Sequence, residues 1–259
     1  MATNPSVPLQ PSQPTRLSQE PAALSEGQRL IGTFFSPGKA FTDLRRNANW
    51  WAPFLIIAIV SLSFAYVVDQ KVGFRKVVEN LIQLQPKQAD RIDRMPIDQR
   101  ETVMQQQVTI TKLISYAIPL IALAIYAVFA GVLFATLKFG ASADLKYKTL
   151  FALIVYTRLP QLLATLLAMV SLLAGVSGDG FNIQNPVATN PGYFISPDGS
   201  PVLRALLTPL DVFSFWTLIL TAIGITCISK VKRSTAFAVV FGWFGIVVLG
   251  RVLIAAASS

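Results

Sequence analysis

Five long apolar blocks decide what this chain can fold into. They run over about residues 51–68, 113–137, 150–173, 212–228 and 236–256. Each lies near or above the roughly 20 apolar residues needed to cross a hydrocarbon core about 30 Å thick. The first and the fourth sit close to the short limit. One helix in a water-soluble core can be this apolar, but five in 259 residues cannot all be covered by protein. Hydrocarbon offers no partner to an exposed amide, so each block is expected to be helical. The predicted fold class is all-α: a polytopic membrane helical bundle with about five transmembrane helices. An N-terminal interfacial helix and a helical hairpin between spans one and two complete it.

The composition fits that class. Mean hydropathy is +0.55 and only 14% of residues are charged, against about 25% in an ordinary soluble domain. Net charge is +9, from 22 Lys and Arg against 13 Asp and Glu. In a soluble protein that excess would favour nucleic acid. Here many of the cations flank apolar blocks, where they anchor spans and set orientation, so no nucleic-acid partner is expected. The single cysteine, Cys227, cannot form an internal disulfide. Histidine, the commonest metal ligand and general base, does not occur. The expectation is a non-enzyme with no catalytic residue, metal site or cofactor.

Residues 1–28 are polar and rich in Pro, Ser and Gln, without a basic region followed by an apolar core. They read as a disordered cytoplasmic tail and not as a signal peptide. Residues 29–256 form the membrane domain. Ser36 suits a helix N-cap and Pro37 the first helical position. A short interfacial helix is expected from there, with Phe41, Trp50 and Trp51 as anchors in the headgroup zone. Residues 69–111 form an extramembrane helical insertion, in which Phe74, Val77, Val78, Leu81 and Ile82 share a face. The stretch 175–208 is dense in Gly and Pro and predicts an irregular exposed loop instead of regular helix.

Orientation follows from the basic loops. Lys138, Lys146 and Lys148 lie between spans two and three, and Lys230, Lys232 and Arg233 between spans four and five. The opposite side has Arg204 between spans three and four. The rule that Lys and Arg stay inside predicts a cytoplasmic amino terminus and an outside carboxyl terminus. The 69–111 segment opposes it, since it then lies outside with Lys71, Arg75, Lys76, Lys87, Arg91, Arg94 and Arg100.

Charges within spans are the default functional candidates. Arg158 sits well inside the third block, beside Thr157 and Pro160, and no acidic residue lies within another span to pair with it. Three readings stay open: it snorkels inward, bonds carbonyls freed by Pro160 or Pro119, or contacts lipid phosphate. Arg158 and Thr157 are therefore the candidate ligand or lipid contacts. Arg251 lies near the outer end of the fifth block and Asp211 opens the fourth at the same depth. An Asp211–Arg251 pair locking two helices is the structural candidate.

Three stretches together resemble the Yip1 domain family, in particular its bacterial branch. The first is Phe35-Ser36-Pro37-Gly38-Lys39-Ala40-Phe41 through Trp50-Trp51-Ala52-Pro53. The second is Lys146-Tyr147-Lys148-Thr149-Leu150 through Tyr156-Thr157-Arg158-Leu159-Pro160. The third is Leu210-Asp211-Val212-Phe213-Ser214-Phe215-Trp216 through Ile223-Gly224 to Lys232-Arg233. The resemblance covers about residues 29–256. It implies a five-span fold in the bacterial inner membrane with a cytoplasmic amino terminus, and it supplies no catalytic residue. Eukaryotic relatives bind small Rab-type GTPases, partners that a bacterial branch would lack. The expected function is a non-enzymatic integral membrane protein that organises protein partners or lipids. Its partners are the bilayer and other membrane proteins or a second copy of the chain. The alternative is a small-solute transporter or channel with Arg158 facing a cavity.

Overall fold

The computed structural model describes residues 23–258. Residues 1–22 of the expected 1–28 tail lie outside them. Helices α1 (Glu26–Phe35), α2 (Pro37–Asp43), α3 (Trp51–Lys71), α4 (Phe74–Gln83) and α5 (Pro86–Asp93) lead into α6 (Ile97–Ala135). Then follow α7 (Tyr147–Thr157), α8 (Leu159–Leu173), α9 (Pro201–Leu207), α10 (Val212–Ile228) and α11 (Arg233–Ser258). No strand occurs among the described residues.

Four helical segments are long and apolar enough to cross a membrane: α3, α6 with the π turn Thr136–Gly140 that ends it, α7 with α8, and α11. A fifth is completed if α9 and α10, bent by 44°, form one broken span. Alone, the 17 residues of α10 reach about 25 Å at 1.5 Å per residue, short of the hydrocarbon thickness. The 39 residues of α6 reach roughly 58 Å by the same rise, longer than one hydrocarbon crossing needs, and α4 packs against this helix. Helices α4, α5 and the start of α6 fall in residues 69–111, where the sequence predicts an extramembrane helical insertion. Phe74, Val77, Val78 and Ile82 of α4 are buried, and Leu81 is half-buried.

Helices α1 and α2 pack on each other and on α7 and α10, while α4 packs on α5 and α6, and α9 on α11. Close approach fixes the centre. A Cβ on Gly224 of α10 would lie 2.2 Å from Leu153 Cδ1 on α7, so any larger residue there would force the Leu153 side chain to move.

The amino-terminal region departs from expectation. Helix α1 starts at Glu26, inside the stretch assigned to the tail. Its first turn is closed by a capping box, in which Ser25 Oγ accepts from Gln28 N–H at 3.2 Å and Gln28 Oε1 accepts from Ser25 N–H at 2.9 Å. α1 and α2 then pack antiparallel, Arg29 opposite Asp43 and Gly32 opposite Ala40. Phe41 is not an interfacial anchor: it is 0% exposed and packed in the main core with Leu44 and Leu153. The hairpin docks on α10, where Phe34 meets Trp216 edge-on at 5.8 Å. Trp50 is half-buried against Phe54 and Phe151, and Trp51 is exposed. Within the Gly/Pro-rich stretch, Pro201–Leu207 is helical after all, because Ser200 caps it and Pro201 opens its first turn.

Candidate functional site

Three polar constellations interrupt the apolar bundle. The first ties the α1–α2 hairpin to α7. Arg29, 3% exposed, lies 3.3 Å from Glu26 and places its Nε 3.1 Å from Asp43 Oδ2, in ion-pair contact but off the hydrogen-bond line. Its Nη1 donates to the Asn47 carbonyl at 3.1 Å. Glu26 also accepts from Asn49 Nδ2 at 3.1 Å and from Tyr156 Oη at 2.9 Å. Asp43 accepts from Leu24 N–H. Buried charges persist only when paired and hydrogen-bonded, and this set meets that condition with groups from both helices, the following turn and α7. Sequence reading placed Glu26 in the tail and passed over Arg29. The Ser25-x-x-Gln28 capping box was the available signal.

The second constellation surrounds the break in span three. Pro160 has no N–H for the Tyr156 carbonyl, and the chain answers with tight turns, Arg158 N–H to Val155 and Gln161 N–H to Arg158. The Arg158 side chain crosses to α6, its guanidinium 5.2 Å from the Tyr126 ring centroid and 5.4 Å from that of Phe129. Nε has no hydrogen-bond partner. These contacts are packing against α6, which is none of the three expectations; among the described residues no hydrogen bond joins the side chain to a carbonyl freed by Pro160 or Pro119. Thr157 is 0% exposed, which closes it to lipid. Its hydroxyl donates to the Ile154 carbonyl. Thr221 Oγ1 lies 3.1 Å from Thr157 Oγ1 and 2.8 Å from the Thr217 carbonyl, joining α7 to α10.

The third lies at the bend between α9 and α10. Asp211 caps α10, accepting from Ser214 N–H at 2.9 Å and from the Thr189 hydroxyl. The Thr189 carbonyl accepts from Val212 N–H. Asp211 and Arg251 form no ion pair. The carboxylate is taken up by the orphan amides of its own helix and by the loop, while Arg251 is exposed on α11. A polar bridge also joins α11 to the π turn, where Trp243 Nε1 donates to Thr136 Oγ1 at 3.0 Å.

At the α4–α5 end, two adjoining cavities of about 640 and 500 Å³ share Leu84, Gln85, Pro201 and Ala255 in their walls. Between them they are lined by Lys87, Arg91, Arg204 and Arg251 and by no acidic residue. A third cavity, about 480 Å³ between α3 and α6, is lined by apolar, hydroxyl and amide side chains without a charged group. Arg158 lines none of the three. Among the described residues no three His, Cys, Asp or Glu side chains gather as a metal site.

Several helices long and apolar enough to cross a membrane, a buried ion pair holding the amino-terminal hairpin and polar caps at helix breaks define a multi-pass helical membrane protein. The model of the Yip1 domain matches residues 31–254, and the chain belongs to the Yip1 domain family. It is similar to Membrane protein YknW of Bacillus subtilis (strain 168), with 24% identity over 243 residues that cover 93% of each chain. No solved structure matches it significantly.

Proposed function

We propose that this protein is a non-enzymatic membrane component that organises protein partners or lipids in a bacterial cytoplasmic membrane. One observation carries the reading: the side chains of Arg158, Asp211, Thr157 and Thr221 are each engaged by their own bundle, although Arg158 Nε and Thr217 Oγ1 are buried without a hydrogen-bond partner. Arg158 is stacked on two rings, Asp211 caps a helix, and Thr157 and Thr221 join α7 to α10. A relay or catalytic site needs groups left free to titrate or attack. Recognition is thereby left to the surfaces at the two ends of the bundle. Candidate partners are other membrane proteins, a second copy of the chain and bilayer lipids.

Photo-crosslinking of the full chain in native membranes, followed by purification, tests this. A defined protein or lipid class held well above an unrelated five-span control is expected; a capture profile equal to the control would remove the reading. The proposed orientation, amino terminus inside, has its own assay. In a Cys227→Ser background, cysteines introduced between residues 182 and 190 should react with a membrane-impermeant maleimide on intact cells. Those between residues 141 and 146 should react only after lysis.

A further inference from the structure

The paired cavities at the α4–α5 end carry charge that the fold does not answer. Lys87, Arg91 and Arg251 are exposed and make no ion pair or hydrogen bond among the described residues. Arg204 is held differently. Its Nη2 donates to the Ser196 and Pro197 carbonyls at 2.7 and 3.0 Å, and its Nη1 to the Leu84 carbonyl at 3.3 Å. Carbonyls fix the guanidinium in place but leave its positive charge uncompensated. The acids of α5 do not help: Asp93 is bound to Arg100, and Asp90 is not in the lining.

The walls between these cations are apolar, with Leu81, Leu84, Ile92 and Ile254 among them. One wall is a membrane span. On α11, Val247, Arg251 and Ile254 recur at helical spacing along one face, and all three are exposed. That stripe places a cation between apolar residues and leads from the cleft toward the middle of the span. A soluble anion would have no use for it. An amphiphile whose phosphate meets the cations and whose acyl chain follows α11 uses both.

From this charge and apolar complementarity we propose that the cleft binds an anionic phospholipid, its phosphate among Lys87, Arg91, Arg204 and Arg251 and its chain along α11. The inference rests on the reading of the protein as an organiser of partners or lipids, and it names the lipid class and the site.

The test is lipid retention by the purified full chain in detergent, followed by native mass spectrometry. Phosphatidylglycerol and phosphatidylcholine with the same acyl chains are offered together. Wild type should retain phosphatidylglycerol about tenfold or more over phosphatidylcholine, and the triple variant K87Q/R91Q/R251Q should lose most of that preference. Arg204 is left in place because it ties α9 to α4. The pair K146Q/K148Q, at the opposite end, should bind like wild type. Equal retention of the two lipids by wild type overturns the proposal, as does a triple variant that keeps the preference. An equal loss in K146Q/K148Q would show a diffuse charge effect and also overturns it. If glycerol phosphate displaces the lipid as well as intact lipid does, the occupant is a soluble anion and the assignment fails. A thermal midpoint near that of wild type establishes that the triple variant is folded. Partner capture that fails while this preference stands would remove the organising role and leave the lipid site intact.

Discussion

Replacing Arg29 with alanine would leave Glu26 and Asp43 without their cation in a nearly closed site. Removing one partner of a buried ion pair typically costs about 3–5 kcal/mol. The expected outcome for Arg29→Ala is a large fall in thermal midpoint in detergent and faster proteolysis before α3. Replacing both sides, Arg29→Met with Asp43→Leu, should recover part of the loss. A single variant as stable as wild type would show that the cluster is solvated. Gly224 sets a second limit at this scale. A Cβ there meets three atoms of Leu153, itself 0% exposed, so Gly224→Ala should destabilise by about 1–3 kcal/mol through overpacking. Combining it with Leu153→Ala should restore the midpoint if crowding is the cause.

Helices ending at polar breaks are the recurring element. Asp211 offers its carboxylate to the first turn of α10 and to Thr189, and loss of such a cap costs about 1 kcal/mol. Asp211→Ala should therefore lower stability, whereas Arg251→Ala should not, and the double variant should be additive within about 0.5 kcal/mol. A larger coupling, measured by thermal unfolding, would revive direct pairing. The loop after α8 is tied to α4 by Lys76 and Asp179, 2.9 Å apart. Hydrogen bonding and proximity to Lys76 hold the Asp179 carboxyl below its ordinary value, and the same contact raises Lys76. The link is complete above the unfolded Asp value and lost as pH falls through the lower folded one. On the alkaline side it is complete below the unfolded Lys value and lost as pH rises through the raised one. Protection of the amides in residues 176–182, measured against the intrinsic exchange rate at each pH, should be flat between these limits, fall below the ordinary carboxylate range and fall with salt, since both groups are exposed. Protection indifferent to acid would show the pair to be incidental.

At the scale of the whole molecule, the apolar blocks made the bundle legible, because nothing else satisfies amides in hydrocarbon. The α4 face was legible too, since Phe74, Val77, Val78 and Ile82 recur with helical period. Contacts distant in sequence were not. Nothing local to Arg158 points to Tyr126 and Phe129, and nothing near Glu26 names Tyr156. Asp211 and Arg251 shared an inferred depth, yet depth does not fix azimuth, and the carboxylate found amides closer at hand. Phe41 was misplaced because an aromatic residue before a span reads equally well as an anchor or as core. The short fourth block carried a hint, since a segment too brief to cross alone needs an added piece, and α9, bent by 44° from α10, is the neighbouring helix that would lengthen it.

The hydrogen bond from Tyr156 to Glu26 spans 130 positions of sequence. A ribosome feeding this chain into a bilayer releases the α1–α2 hairpin long before its partner on α7 exists. Until span three arrives, one oxygen of Glu26 must be served by water, which holds the hairpin near the membrane surface. Seating of the amino-terminal segment is therefore a late event of biogenesis, and truncations that stop before Tyr156 should leave that segment open to protease.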